Sequence, residues 1–300
     1  MHVALLFHLC NKSSFNNQFA FFIYILQSFD LQYFTINLWT SFRFSPKLLH
    51  IEALKTRLLK NKHQNTAIMK DMYAATNSEY LENNKTWHAE DSPWKTKQIL
   101  KLINRNSLNP KSVVEIGCGA GEILRQMQLQ MEDKTIEFSG YDIAPDAIKM
   151  AKQKANDKLH FYEENLLDKK DVHFDLELII DVFEHVDDYI GFIRLCGEMA
   201  DYKIYHIPLD MHVSGLLRGS MLRSRKKVGH IHYFSKETAL ATLKDAGQEV
   251  IDFFYTKCAV ENTKRLRSRF ANVFRIPLYA VSPDLTAHLL GGYSLIVLTK

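Results

Sequence analysis

The chain has 300 residues, 46% of them hydrophobic and 24% charged, with a formal net charge of +4. That is enough for one large domain or two small ones with a sizeable core, and the composition is that of an ordinary globular protein. The charge is placed unevenly: residues 1–68 carry Lys12, Arg43, Lys47, Lys55, Arg57, Lys60 and Lys62 against only Asp30 and Glu52, so the rest is near neutral and the excess is no argument for nucleic acid.

The first 68 residues are rich in Phe, Asn and Leu and show no sustained helical or strand period. The run Phe19–Leu26 is too short to span a bilayer, and no basic residues precede Val3–Phe7 as a secretory signal requires. Residues 1–70 therefore read as an extension outside the fold, either disordered or an over-long start with Met69 or Met72 as the true first residue. Residues 71–300 read as the functional domain. The segment Tyr80–His88 is polar and aromatic; Ser92-Pro93 then supplies a cap and a first-turn proline for a helix from Trp94 to Asn106.

Strands are expected at Ser112–Ile116, Thr135–Tyr141, Lys158–Glu163, Phe174–Asp181 and Tyr202–Pro208, with helices at Glu122–Met131, Pro145–Ala155 and Val186–Met199. Such alternation predicts a doubly wound α/β fold, a parallel sheet covered by helices on both faces. Insertions near 209–230 and 261–290 interrupt the rhythm. Between and after them come a helix at Lys236–Asp245 and strands at Glu249–Tyr255 and Tyr293–Lys300.

The most informative stretch is Ser112–Gly121, a buried strand running into Gly117-Cys118-Gly119-Ala120-Gly121 and then a helix. Glycines let the backbone approach a ligand closely, and the helix that follows points free N–H groups and its positive dipole end at the turn. Asp142 ends the second strand about twenty residues on, where an acid accepts from ribose hydroxyls in nucleotide folds. The alternative role for Asp142 is a helix cap before Pro145. The cysteines, Cys10, Cys118, Cys196 and Cys258, form no CxxC pair, which argues against a disulfide framework or structural zinc and for a reducing, cytoplasmic compartment. Cys118 lacks an adjacent basic residue, so it reads as a small residue fitting the turn rather than a reactive thiol.

The set Glu115, Gly117, Gly119, Gly121, Asp142, Asn165 and Asp181-Val-Phe-Glu-His185 resembles the class I S-adenosylmethionine-dependent methyltransferase family from about residue 72 onward. The resemblance implies a mostly parallel seven-stranded sheet with an antiparallel last strand, and S-adenosylmethionine as cofactor. It implies that Glu115 organises the site around the methionyl ammonium and that Gly117, Cys118, Gly119 and Gly121 approach the cofactor. Asp142 would hold the ribose, Ile143 would pack on adenine, and the Asn165–Leu166 pair would meet the adenine edge where the family carries Asp, with Glu164 as an alternative. Asp181, Glu184 and His185 would lie beside the transferable methyl, His185 taking a proton from the nucleophile; the competing role for Glu184 and His185 is to cap the next helix.

Asp181-x-x-Glu184-His185 also resembles a magnesium-binding motif of ubiquinone-pathway and small-RNA methyltransferases, which begin with Glu. His230 and His232 are later candidates that the sequence does not place near Glu184, so no metal ligand is assigned. His206 and His212 are candidates to line an acceptor pocket, with a strand-end structural role equally open. Trp87, His88, Trp94 and Lys95 fall where the family often folds a helical lid, and read first as aromatic packing. The basic run Arg218, Arg223, Arg225, Lys226, Lys227 and a second set, Lys264, Arg265, Arg267 and Arg269, read as solvated loops or as surfaces for an acidic substrate or an anionic membrane.

The expected activity is methyl transfer to an O, N or C nucleophile of a small acceptor. A nicotinamide-dependent oxidoreductase shares the glycine turn and Asp142, but the glycines run G-x-G-x-G with Glu122 beyond them. A cofactor-binding regulatory subunit would carry the same motifs.

Overall fold

The computed structural model describes Trp87, residues 89–262 and residues 266–300. The extension 1–70, the start of the domain, His88 and two members of the second basic set, Lys264 and Arg265, lie outside the described residues. The elements in chain order are α1 (Ser92–Arg105), β1 (Ser112–Ile116), α2 (Glu122–Gln130), β2 (Glu137–Asp142), α3 (Pro145–Lys152), β3 (Leu159–Glu163), β4 (Phe174–Ile180), α4 (Tyr189–Gly197) and β5 (Ala200–Pro208). They continue as α5 (Val213–Leu217), α6 (Ser220–Val228), α7 (Lys236–Asp245), β6 (Val250–Thr256), α8 (Cys258–Glu261), α9 (Leu266–Val281), α10 (Pro283–Leu290) and β7 (Ser294–Thr299).

The strands form one sheet in the order β3-β2-β1-β4-β5-β7-β6. Strands β1 to β5 are parallel, and β7 runs antiparallel between β5 and β6. The expected seven-stranded sheet with an antiparallel last strand is the observed one. The strands are laid outward from β1 through β2 to β3, and the chain then crosses back to β4 on the other side of β1, so the crevice at the switch point lies between the carboxyl ends of β1 and β4, beside that of β2.

Strand periodicity explains the two cores. Val113, Leu176, Leu178, Ile180, Ile204, Ile296 and Leu298 face one side and pack with α1, α2 and α3 through Ile99, Leu102, Leu124, Met127, Ile148 and Ala151. Their neighbours Val114, Ile179, Tyr205, Ile207, Leu295 and Val297 face the other side and pack with Ile193 and Cys196 of α4 and Ala239 and Leu243 of α7. Each fully buried Leu or Ile contributes about 1.5–3 kcal/mol, so both faces are strongly held. Helix α1 buries Ile99, Leu102 and Ile103 in the first core, so most of it is structural and only its first turn is free to reach the crevice.

The expected helix over Val186–Met199 divides in two. A 3-10 turn covers Phe183–His185, and α4 starts at Tyr189, where the Asp188 side chain accepts from the Gly191 amide at 3.0 Å. Phe183 is fully buried, so packing, rather than helical periodicity, fixes the segment that carries Glu184 and His185. Both insertions are helical. No helix among the described residues is long and apolar enough to cross a membrane.

Candidate functional site

The glycine turn lies between β1 and α2, with Gly121 as the cap residue of α2 at φ 72°. A Cβ on Gly121 would meet the Phe161 ring at 2.4 Å, so this glycine is required by packing. Gly119 has φ +52°, and among the described residues only Trp87 lies within 4 Å of an added Cβ, at 3.7 Å, so its side-chain position is open there. Its amide donates to Asp142 Oδ2 at 2.8 Å, and the Ala144 amide donates to Oδ1 at 2.9 Å. Asp142 therefore clamps the turn and also caps the start of α3, so the two roles read from sequence coexist. Burial pushes its carboxyl above the usual range, against the opposing pull of the Ala144, Gly119 and Ile143 amides. Ile143 beside it is an apolar side chain left exposed.

Glu115 is buried near the end of β1, and its Oε2 has no hydrogen-bond partner among the described residues. Burial drives its carboxyl well above the ordinary value, Lys95 pulls the other way and Asp142 adds to the rise. A buried carboxylate oxygen without a donor is costly, and an ammonium placed against it would remove that cost. Cys118 is buried as well; burial, then Asp142 and Glu115, push its thiol well up, so it is held protonated and is not a nucleophile.

After β3 the arrangement is more structural. The Asn165 side chain accepts from the Leu167 amide at 3.3 Å and caps the 3-10 turn Leu166–Asp168. Leu166 is fully buried in the second core, and Glu164 pairs with Lys169 at 2.5 Å.

Asp181 follows β4 in a left-handed conformation, φ 55°, uncommon outside glycine. Two partners hold it: Lys95 Nζ lies 2.7 Å from Oδ2 and His206 Nδ1 lies 2.6 Å from Oδ1. The far nitrogen of His206 meets Thr256 Oγ1 at 2.9 Å, which ties β4, β5, β6 and α1 together. Burial disfavours the Asp181 anion, but His206 and Lys95 outweigh it and hold the carboxyl far below its ordinary range. Lys95 is held charged in return: burial works against the charge, and Asp181 overcomes it. Both oxygens of Asp181 are thus committed to this pair of cations. His206 serves it from a buried position, and His212 caps α5 by accepting from the Gly215 amide at 2.9 Å.

Three residues on, the environment reverses. Glu184 is 0% exposed, and neither carboxylate oxygen has a hydrogen-bond partner among the described residues. Burial first, then Asp181, pushes its carboxyl well above the ordinary value. His185 Nε2 lies 3.8 Å from Glu184 Oε1 and His230 Nε2 lies 3.9 Å from it. One donor atom from each of the three residues falls within 4.8 Å of the others. The amides of Ile231 and His232 donate to the Glu184 carbonyl at 3.0 and 3.1 Å, which docks the segment before α7 beside the 3-10 turn. Asp210 Oδ2 meets His230 Nδ1 at 2.5 Å, turning Nε2 toward Glu184. His232 instead bonds the Val186 carbonyl at 3.0 Å and packs on Tyr189.

The residues present fit a divalent cation at Glu184, His185 and His230. The fit rests on an orphaned buried carboxylate facing two imidazoles, one with its second nitrogen fixed by a carboxylate. Asp181, the first residue of the motif read from sequence, does not fit, because Lys95 and His206 occupy it. Sequence reasoning missed Lys95 as the partner of Asp181 and Asp210 as the orienting group of His230. Lys95 carried a signal, a cation directly after Trp94 in the first turn of a helix; Asp210 carried none.

A model of the family described as "Methyltransferase domain" matches residues 88–252. A ubiquinone biosynthesis O-methyltransferase of Nitrosospira multiformis is 30% identical over 108 residues, 34% of this chain and 44% of that protein. The match thus spans under half of that relative's length. Among solved structures, a chain of a complex between the Haloferax volcanii Trm112 methyltransferase activator and a methyltransferase superposes with TM-score 0.52 at 13% identity, over 74% of this chain and 95% of that one. A SAM-dependent methyltransferase of Archaeoglobus fulgidus gives TM-score 0.50 at 18% identity, over 74% and 100%. The chain belongs to the methyltransferase domain family.

Proposed function

We propose that the chain binds its cofactor across the glycine turn and methylates a small acceptor held in front of Glu184, His185 and His230. The observation that carries this reading is Asp142 bonded to the Gly119 amide beside the unpartnered Oε2 of Glu115. When bound, S-adenosylmethionine supplies an electrophilic methyl on a sulfonium. Glu115 would face its ammonium, the start of α2 would favour its carboxylate, Asp142 would accept from its ribose and Ile143 would cover its adenine. Asn165 keeps one acceptor lone pair beyond its cap for the adenine amino group, and Leu166 supports that turn from the core.

Transfer would form a bond from the acceptor's nucleophilic atom to the methyl carbon as the carbon–sulfur bond broke, the electron pair staying on sulfur. The proton lost by the acceptor passes to His185 or His230, with Glu184 behind them. Lys95, Asp181 and His206 position the loop after β4 rather than touch the acceptor. Alignment of reactants and exclusion of water supply most of the acceleration in such a displacement. The relative from Nitrosospira multiformis is an O-methyltransferase by name, which makes a hydroxyl the first acceptor group to screen. Formation of S-adenosylhomocysteine with any hydroxylated acceptor, and its loss in Asp142→Ala, tests the reading.

A second reading rests on the two orphaned oxygens of Glu184. There Glu184, His185 and His230 hold a divalent cation that would lower the acceptor's pKa, and Asp210 fixes the ligating tautomer of His230. With two imidazoles, the set suits manganese, zinc or iron better than magnesium. Metal content of the purified chain, and thermal shifts on adding each ion to the wild type and His230→Ala, separate this from proton transfer alone.

A further inference from the structure

Helix α9 is turned inside out. Its polar residues Asn272 and Arg275 are buried: Asn272 Nδ2 donates to the Ala259 carbonyl at 2.9 Å, and Arg275 donates to the carbonyls of Gly291 and Leu290 at 2.9 and 3.3 Å. The opposite face exposes Phe270, Val273, Phe274, Pro277 and Val281, which follow one another at intervals of three and four residues and so form a single stripe. Phe270 is 72% and Val281 82% exposed.

The other insertion has the same character. Leu216, Leu217 and Leu222 are exposed on α5 and α6, Leu217 at 84%, and Arg218, Arg223, Arg225, Lys226 and Lys227 are exposed around them. No residue of α6 is buried. The two insertions are joined: α5 packs on α10 and α10 on α9, and Ser214 Oγ donates to the Leu290 carbonyl at 3.1 Å. The chain contains no Asp or Glu from Met211 to Lys236, nor from Asn262 to Pro283. Strands β5 and β6 are both antiparallel to β7, so both insertions leave the sheet at the same edge, the one that carries Asp181 and His206.

We propose that the stripe of α9 and the basic leucine-bearing helices α5 and α6 form one docking surface for an anionic lipid bilayer. Exposed Phe and Leu side chains enter the headgroup boundary while the surrounding Arg and Lys meet lipid phosphates, the charge pattern of helices that lie in an interface. The absence of any acid from both segments is what favours an anionic bilayer over a folded protein partner, whose surface would present both charges. The surface lies at the rim of the site, so the acceptor reaches the enzyme from the bilayer.

Flotation of the full chain with phosphatidylcholine vesicles, with and without phosphatidylglycerol, tests this. The wild type floats with the anionic vesicles, and added salt weakens the association. Phe270→Ser combined with Phe274→Ser, and separately Arg223→Glu combined with Lys226→Glu, each reduce it at least ~10-fold while cofactor binding, which reports folding, is retained. A wild type that stays off the anionic vesicles, or variants that float as it does, overturns the proposal. So does self-association in the absence of lipid that Phe270→Ser with Phe274→Ser abolishes, which assigns the face to a second copy of the chain.

Discussion

Asp142 accepts a hydrogen bond from the Gly119 amide at 2.8 Å, and this contact ties the end of β2 to the turn that follows β1. A carboxylate has about four acceptor positions, and two amides of this chain take one each. On the proposed reading, the positions left over accept from the paired hydroxyls of a ribose. The same contact sets the close approach of the Gly119 backbone to whatever lies in the crevice.

Gly119 and Gly121 therefore respond differently to substitution. Gly121→Ala adds a left-handed conformation to a clash with the Phe161 ring and lowers stability by about 2–4 kcal/mol. Gly119→Ala meets nothing closer than 3.7 Å among the described residues and costs about 1 kcal/mol from its backbone angle, while on the proposed reading its methyl intrudes on the cofactor. Urea denaturation and cofactor titration on both variants read this: stability falls mainly in the first, affinity mainly in the second.

Glu115 gives a prediction with opposite signs in two assays. Its buried carboxyl titrates well above the ordinary value, with burial the main cause. The folded chain therefore holds a proton there that the unfolded chain releases, and this contribution to stability is lost as pH rises through the folded pKa. Attraction for an ammonium requires the anion, so cofactor affinity rises with pH over the same interval. Glu115→Gln is more stable than the wild type at neutral pH, binds the cofactor about 10- to 100-fold more weakly and loses this pH dependence.

Lys95 and Asp181 make a prediction about stability alone. Asp181→Ala takes the counter-charge from Lys95 and lowers stability by about 3 kcal/mol, whereas Lys95→Met leaves Asp181 paired with His206 and costs less. The double variant loses less than the sum, because neither charge is then left unpaired; a double-mutant cycle in urea measures the difference.

Much of this was legible in the sequence because strand and turn signals are local. The strand Ser112–Ile116, the glycine turn and Asp142 needed only residue identity and spacing. The helix from Val186 was misjudged because Phe183 is fixed by burial against distant aromatic rings, Tyr189, Tyr205 and Phe234, which periodicity does not show. The gathering of Glu184, His185 and His230 depends on the Glu184 carbonyl holding the Ile231 and His232 amides 47 and 48 positions away, a contact no local pattern announces. Asp181 looked like one more acid of the motif; only its distances to Lys95 and His206 separate it from Glu184.

Glu177, on β4 opposite Lys203 of β5, predicts a pH-dependent stability independent of the site. Burial pushes its carboxyl up to about 8, against the pull of Lys203 and Cys196. Between the unfolded value for a Glu and about 8 the folded chain binds a proton the unfolded chain does not, so stability falls as pH rises, by about 1.4 kcal/mol per unit at its steepest. Glu177→Gln flattens that fall in urea midpoints measured across the interval.

Calorimetric titration of S-adenosylmethionine into the wild-type chain and into Asp142→Ala tests the central claim most directly. The wild type binds one equivalent, and the variant, folded by circular dichroism, binds about 10- to 100-fold more weakly for loss of a charge-assisted contact. A wild type that takes up no cofactor, or a variant that binds it equally well, contradicts the assignment of the crevice between Asp142 and the glycine turn.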